Sequence, residues 1–428
     1  WNAFRRDYDE VAISAQIDKI VEYELREAGY TYVNVDGAWW NGDYENGIVY
    51  RNESTGRFVD PTDKFPNGVK TLSDKAHSKG LKFGWYTSGR EAACCCGAEG
   101  FEVMKPMSGG NEEIDLELFL EWGIDYLKVD NCGTSKGGGK FSGSSKIMRT
   151  WADLLKGTGV VLSNSRFDCM SKKGKNYFSK PPDDDPFQNT YSNKLKTKSF
   201  CTKYSNLWRV SIDIRDAWWS VLFNSRAMIG RGKSSGPGHW NDPDMLMVGN
   251  GGLNFYENQA HFSLWCVLSA PLLIGVDLRK HSKYSEIVKI LGNRAAIAVN
   301  QEYDDHAGDR FRVSDDQYKV EEWVKLLGNS ELALVVLNAE YEGKVTDYEV
   351  ELHYKEYAEH LLGSKCFKKI KKKLDEASIR CDVYNIWEDN SSTETNTIVL
   401  TLEEHQCSFL RISNCYVENT DEDTCKQQ

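Results

Sequence analysis

Tyr126-Leu127-Lys128-Val129-Asp130-Asn131-Cys132, set between Gly123 and Gly133, is the stretch that decides the fold. A short, mostly apolar run of this kind reads as a fully buried strand inside a parallel sheet. This one nevertheless carries Lys128 and ends on Asp130, two residues apart on one face. In a barrel of parallel strands wrapped by helices, residues at the C-terminal strand ends line the active site. Leu207-Trp208-Arg209-Val210-Ser211-Ile212-Asp213 repeats the logic, a short strand ending on an Asp with an Arg four residues earlier. Two carboxylates on one rim are what hydrolysis of a glycosidic bond requires. A lone strand-end Asp would more simply cap the next turn or helix. The recurrence argues otherwise.

Strand-like and helix-like segments alternate on both sides of these two. Apolar periodicity predicts helices over 9–27, 69–79, 114–122, 146–156, 217–229, 258–269 and 284–299. Strands are expected at 30–36, 81–87, 126–130, 160–164, 208–213, near 240–245 and at 271–277. Seven strand-then-helix units, with a further strand at or before Trp1, predict a (β/α)8 TIM barrel over residues 1–308. From there the pattern changes. Segments 320–326, 332–337 and 397–400 read as strands without intervening amphipathic helices, which predicts an antiparallel β-sandwich over 309–413. A polar, irregular tail is expected at 414–428.

The 428 residues suit a barrel plus an accessory domain, and no apolar run reaches the ~20 residues of a membrane span. A net charge of −11 argues against nucleic acid, whose phosphates demand clusters of Lys and Arg. The one basic cluster, Lys365 to Lys373, reads as a solvated face. Twelve cysteines and the sequons Asn52-Glu53-Ser54 and Asn390-Ser391-Ser392 favour an oxidising compartment, hence a secreted or lysosomal/vacuolar glycoprotein. Cys94-Cys95-Cys96 predicts a loop from which at least one cysteine bridges to another loop. Zinc spacing is absent and Gly133 to Lys140 does not satisfy the phosphate-loop pattern, so no metal or cofactor is expected. The start at Trp1 without a Met leads us to expect that an upstream segment has been removed.

The expected strand ends bring Trp1, Asp36, Lys128, Asp130, Arg209, Asp213 and Asp244 to one rim, while Asp216 and Asp242 read as helix N-caps. Within this set Lys128 favours an ionised Asp130, and Trp208, Ile212 and Trp218 frame Asp213 so that desolvation would help it hold a proton.

The segments at 126–132 and 209–213, with Gly236-Pro237-Gly238-His239-Trp240-Asn241-Asp242-Pro243-Asp244-Met245-Leu246, resemble glycoside hydrolase family 27. That family contains α-galactosidases and α-N-acetylgalactosaminidases. Trp1-Asn2-Ala3-Phe4, Ser269-Ala270-Pro271-Leu272, Asp277-Leu278-Arg279 and Val299-Asn300-Gln301-Glu302 extend the resemblance in order. It implies a carbohydrate substrate and a retaining mechanism, with Asp130 as nucleophile and Asp213 as acid/base. Asp36, Lys128, Arg209 and Asp244 would hold sugar hydroxyls and Trp1 would stack on the ring. By the same resemblance Cys132 would bridge to one of Cys94 to Cys96, and Cys169 to Cys201.

Two positions depart from the family. Asp36-Gly37 stands where two adjacent Asp are usual, and Asn164-Ser165-Arg166-Phe167-Asp168 replaces a Cys-Glu-Trp segment. A side chain from Arg166, Asp168, Trp39 or Trp40 is therefore expected beside Asp36, with a preferred sugar other than simple galactose. Three readings follow: an exo-acting α-galactosidase, a relative specific for N-acetylgalactosamine, arabinopyranose or glucose, and a sugar-binding glycoprotein without turnover. Homo-oligomerisation is compatible with each.

Overall fold

The computed structural model describes residues 2–95, 102–131, 144–165, 169, 197, 199–418 and 425. Its first half runs α1 (Glu10–Glu22), α2 (Leu25–Ala28), β1 (Tyr32–Asn34), the hairpin β2 (Gly42–Asp43) and β3 (Ile48–Val49), α3 (Val69–Ser78) and β4 (Lys82–Ser88). There follow β5 (Ala93–Cys95) paired with β6 (Glu102–Met104), α4 (Glu112–Glu121), β7 (Tyr126–Asp130), α5 (Ser144–Leu155) and β8 (Val161–Asn164). The series closes with α6 (Ser199–Tyr204), β9 (Leu207–Arg209), α7 (Trp218–Arg226), β10 (Trp240–Asp242), α8 (Phe255–Val267), α9 (Glu286–Leu291) and α10 (Arg294–Gln301).

β1, β4, β7, β8, β9 and β10 pair in that order and all in parallel, helices filling the connections. The sheet is therefore the alternating α/β kind that the periodicity predicts. Among the described residues, it continues beyond β10 only as a parallel bridge between Leu246 and Ile274. The Leu246 amide donates to the Leu273 carbonyl, and the Leu246 carbonyl accepts from the Gly275 amide. The strand expected at 271–277 is thus reduced to one bridge. Pro271 brings no amide to a ladder, and Asp277 already caps a 3-10 turn at Leu278–Lys280.

Other expected elements change at their ends. The 9–27 helix breaks at Glu24, which takes a left-handed backbone with φ 60°. The 284–299 helix divides at Gly292, and the Asn293 side chain starts α10 by accepting from the Ala296 amide. The 208–213 strand ends at Arg209, whose guanidinium is buried, so Asp213 stands beyond the strand instead of on it.

The C-terminal region contains β11 (Asp309–Val313), β12 (Glu321–Leu327), β13 (Glu331–Leu337), β14 (Val345–Glu351), α11 (Lys355–Leu361) and α12 (Gly363–Ile370). It ends with β15 (Ile379–Asn385), β16 (Asn390–Thr395), β17 (Thr397–Leu402) and β18 (Cys407–Val417). One antiparallel sheet has the order β11-β12-β13-β18-β15-β16, and β14 pairs with β17. Two differences from the expected all-strand region stand out. α11 and α12 interrupt it, because Tyr357, Leu361 and Phe367 cover the apolar cluster around Leu334 and Ile412. β18 runs past 413 to Val417, and Cys425 beyond it is bonded to Cys366. Lys365, Lys368, Lys369, Lys371, Lys372 and Lys373 are exposed, as a solvated face requires. The main hydrophobic core is shared, since Trp323, Leu337 and Phe409 pack in the same cluster as Trp265 and Leu268 of the first half.

Candidate active site

The C-terminal ends of the parallel strands gather the charged residues. Lys128 and Asp130 belong to β7, Arg209 ends β9, and Asp36 and Asp244 lie two residues past β1 and β10. Lys128 Nζ donates to Asp36 Oδ2 at 2.6 Å. The other Asp36 oxygen accepts the Gly37 amide at 2.8 Å, and Tyr8 OH donates to the carbonyls of Asp36 and Gly37. Burial pushes the Asp36 carboxyl up, but Lys128 chiefly, with the Gly37 amide, pulls it down, and Asp36 sits below the usual carboxylate range. Burial likewise opposes the Lys128 ammonium, yet Asp36 and Asp130 prevail and its pKa is raised. Lys128 is therefore a fixed cation shared by two carboxylates.

Asp130 has a different balance. Its Oδ2 accepts from Tyr86 OH at 2.8 Å and its Oδ1 from the Asn131 amide at 2.6 Å. Burial raises its pKa and Asp213 pushes the same way, while Lys128, Asn131 and Tyr86 pull it down without cancelling the rise. Asp213 lies on the open side, its side chain 68% exposed, with Oδ1 accepting from Arg209 Nη2 at 3.0 Å. The expected desolvated Asp213 is thus corrected. Trp208 is buried and donates to Asn241 Oδ1, and the Trp218 indole N–H donates to the Ala339 carbonyl.

Arg209 also holds Asp244, Nη2 to Oδ2 at 2.8 Å. Amides of Ile214 and Met245 donate to the same carboxylate, each at 2.8 Å. Asp244 has φ 91°, an uncommon backbone for a residue with a side chain, and the three donors hold it there. Burial pushes its carboxyl up, as do Asp213 and Asp242, against Arg209. The caps expected at Asp216 and Asp242 are not helix caps. Asp216 accepts from the Gly252 amide and Asp242 from the Asp244 amide. These two carboxylates instead brace the loops that carry Asp213 and Asp244.

Sequence reasoning missed Tyr8 and Tyr86. Tyr86 is buried in β4, one strand away from Asp130, and only the β4–β7 register, Tyr86 opposite Lys128, reveals that its hydroxyl reaches the carboxylate. For the space beside Asp36, the described residues show Tyr86 and neither Trp39 nor Trp40. A Cβ built on Gly37 would lie 3.1 Å from Tyr86 Cε1, so the Tyr86 ring fills that space. Trp39 and Trp40 are buried, and Trp39 packs on Trp85 and Phe58 while donating to the Tyr86 carbonyl. Trp1, Cys132, Arg166 and Asp168 lie outside the described residues, as do the side chains of Cys94 to Cys96.

The Cys169–Cys201 disulfide is present at 1.96 Å, as the resemblance implies, joined by Cys366–Cys425 and Cys381–Cys415. Three disulfides among the described residues fit an oxidising compartment. No helix among them is long and apolar enough to cross a membrane.

Known proteins resemble this chain in sequence and in fold. Residues 8–302 match the family model described as alpha galactosidase A. An alpha-galactosidase of Oryza sativa subsp. japonica is 33% identical over 347 residues, covering 81% of this chain and 72% of that protein. Alpha-galactosidase 2 of Arabidopsis thaliana is 33% identical over 340 residues, 79% of this chain and 73% of that one. Among solved structures, alpha-galactosidase I from Mortierella vinacea superposes with a TM-score of 0.72 at 25% identity, covering 96% of this chain and 94% of that chain.

Proposed function

The chain belongs to the alpha galactosidase A family of glycoside hydrolases, and from that membership we propose that it is a retaining exo-α-glycosidase acting on terminal galactose-type sugars. The observation that carries the reading is the contrast between Asp130 and Asp213, whose charges act on one another across the rim. Asp130 is buried and held at both oxygens, which suits a nucleophile that must meet the anomeric carbon in one orientation. Asp213 is solvent-facing beside Arg209, where the leaving group and the incoming water must pass. In this reading Asp130 forms the glycosyl-enzyme as Asp213 protonates the leaving oxygen. Asp213 then takes a proton from the water that releases the sugar. Asp36, Lys128, Arg209 and Asp244 bind the hydroxyls, and Trp1 stacks on the ring.

In this reading residues 1–308 are the catalytic unit, built on a (β/α)8 plan, and residues 309–413 an antiparallel β domain. The disulfides and sequons favour a secreted or lysosomal/vacuolar glycoprotein. A second reading has its own observation: beside Asp36, Gly37 offers no charged acceptor and the Tyr86 ring stands there instead. This favours a sugar lacking, or differing in, the polar group that a second Asp would hold.

A panel of p-nitrophenyl α-glycosides with the Asp130→Asn and Asp213→Asn variants tests both readings. Hydrolysis of the α-galactoside, abolished by Asp130→Asn, is the expected result. Asp213→Asn should spare activated aryl glycosides and impair substrates with poor leaving groups. Hydrolysis of another glycoside in preference would select the second reading. More than about a tenth of the activity left in Asp130→Asn, a loss under about 1.4 kcal/mol, would overturn the nucleophile assignment.

A further inference from the structure

Asp213 faces solvent, and among the described residues Arg209 is its one hydrogen-bond partner. Its place therefore depends on the backbone that carries it, the loop 210–217 between β9 and α7. That loop is not closed by a local cap, since Ala217, just before α7, has no side chain to offer the helix start. The hold comes from outside. The indole N–H of Trp218, the first residue of α7, donates to the Ala339 carbonyl just past β13 at 2.9 Å. The His405 ring, in the turn between β17 and β18, stacks on the Trp218 ring with centroids 5.0 Å apart and planes at 27°. His405 Nδ1 donates to Glu257 Oε1 of α8 at 2.7 Å. The other Glu257 oxygen accepts from the Asn254 amide, completing a capping box at the start of α8. Just ahead of that box, the Gly252 amide donates to Asp216 Oδ2 at 2.8 Å.

We propose that the C-terminal region takes part in the reaction through His405, a positioning residue for Asp213 that acts through Trp218. The inference rests on the reading of Asp213 as the acid/base. The loop is gripped from two sides, at Asp216 by the turn before α8 and at Trp218 by the C-terminal region. His405 joins the two grips, its ring lying on Trp218 and its nitrogen on Glu257. It does so from a backbone with φ 57°, uncommon for a residue with a side chain. An acid/base carboxylate must stand within hydrogen-bond reach of the leaving oxygen, and a shift of about 1 Å in its loop is enough to impair it. Without His405, Trp218 keeps its bond to Ala339 but loses the link to α8, and the loop slackens. Asp130 stands on β7, held by Tyr86 and Asn131, outside this set of contacts. Loss of His405 therefore impairs proton transfer to the leaving group and spares attack on the sugar.

The test assays methyl and p-nitrophenyl glycosides of the sugar that the panel selects, with His405→Ala, His405→Gln and, as reference, Asp213→Asn. Both His405 variants should lower kcat/KM about tenfold on the methyl glycoside and less than about twofold on the aryl one, since only the former needs strong protonation. Amide hydrogen exchange at Ile214 should quicken at least about fivefold in both, with Val335 in β13 unchanged. If His405→Ala does not fold, His405→Gln carries the test, because it keeps a donor for Glu257 and loses the stack. Equal losses on the two glycosides would show that His405 only braces the fold, and would overturn the proposal. Unchanged exchange at Ile214 would overturn it as well. An equal loss in Asp213→Asn would instead sink the acid/base reading, leaving exchange at Ile214 to decide whether His405 holds the loop.

Discussion

Asp130 is a buried carboxylate whose partners do not fully offset its burial. A raised folded pKa favours the protonated acid, so the ionised nucleophile is lost as pH falls through that raised value. The acid limb of kcat/KM is therefore expected above the ordinary Asp value of about 3.9. Tyr86→Phe removes one donor that favours the carboxylate, and should move this limb up by about one pH unit. An unmoved limb in a pH–rate profile would show that Tyr86 only packs. Gly37 gives a second prediction, because its missing Cβ leaves room for the Tyr86 ring at 3.1 Å. Gly37→Asp should displace that ring, and with it the bond to Asp130, lowering kcat/KM about tenfold on every glycoside, an effect of about 1.4 kcal/mol. A gain on the α-galactoside alone would mean that the carboxylate is what the site lacks. The gathering of Asp36, Lys128, Asp130, Arg209 and Asp244 was legible in the sequence because Asp130 and Arg209 end strands, Asp36 and Asp244 follow them, and Lys128 shares the face of Asp130. Tyr86 was not, since a buried aromatic within a strand looks like any core residue.

Elements are joined here by a few buried polar contacts that periodicity does not reveal. Arg51, just after β3, pairs with Asp115 of α4 through Nη1–Oδ1 at 2.7 Å and Nη2–Oδ2 at 2.8 Å, and the Asp115 side chain is 0% exposed. The same guanidinium donates to the Met107 and Gly56 carbonyls and stacks over Phe58 at 3.9 Å. Removing one partner leaves a buried charge unpaired, so Asp115→Ala should cost about 3–5 kcal/mol in chemical denaturation. A cost below about 1 kcal/mol would mean that water reaches Arg51. The β and α periods were readable for most elements, but their ends were not. Glu24 and Gly292 interrupt helical patterns because single backbone conformations decide there, and apolar spacing carries no record of them.

At the scale of the molecule, the two halves meet around Glu321. Its carboxylate accepts from Arg226 at 2.8 Å and Arg310 at 2.7 Å, Glu321 and Arg226 being buried and Arg310 partly so. Burial raises Glu321, but the two guanidiniums prevail and its pKa is lowered. A depressed carboxylate contributes stability that is complete above its unfolded pKa, about 4.3, and is lost as pH falls through the folded value. Glu321→Gln should therefore lower the Tm at pH 7 and flatten the decline of the Tm below about pH 4.3. An unchanged acid decline would remove Glu321 from the acid response. The sequence by itself determined the alternating α/β half, the change to strands near residue 309, and the charged strand ends, because periodicity and charge placement are local signals. Only the tertiary structure decided that Lys128 bonds Asp36, that Asp213 stands in solvent on Arg209, and that Tyr86 takes the space beside Gly37. Each depends on which strands become neighbours and in what register, and pairing across the sheet leaves no periodic mark along the chain.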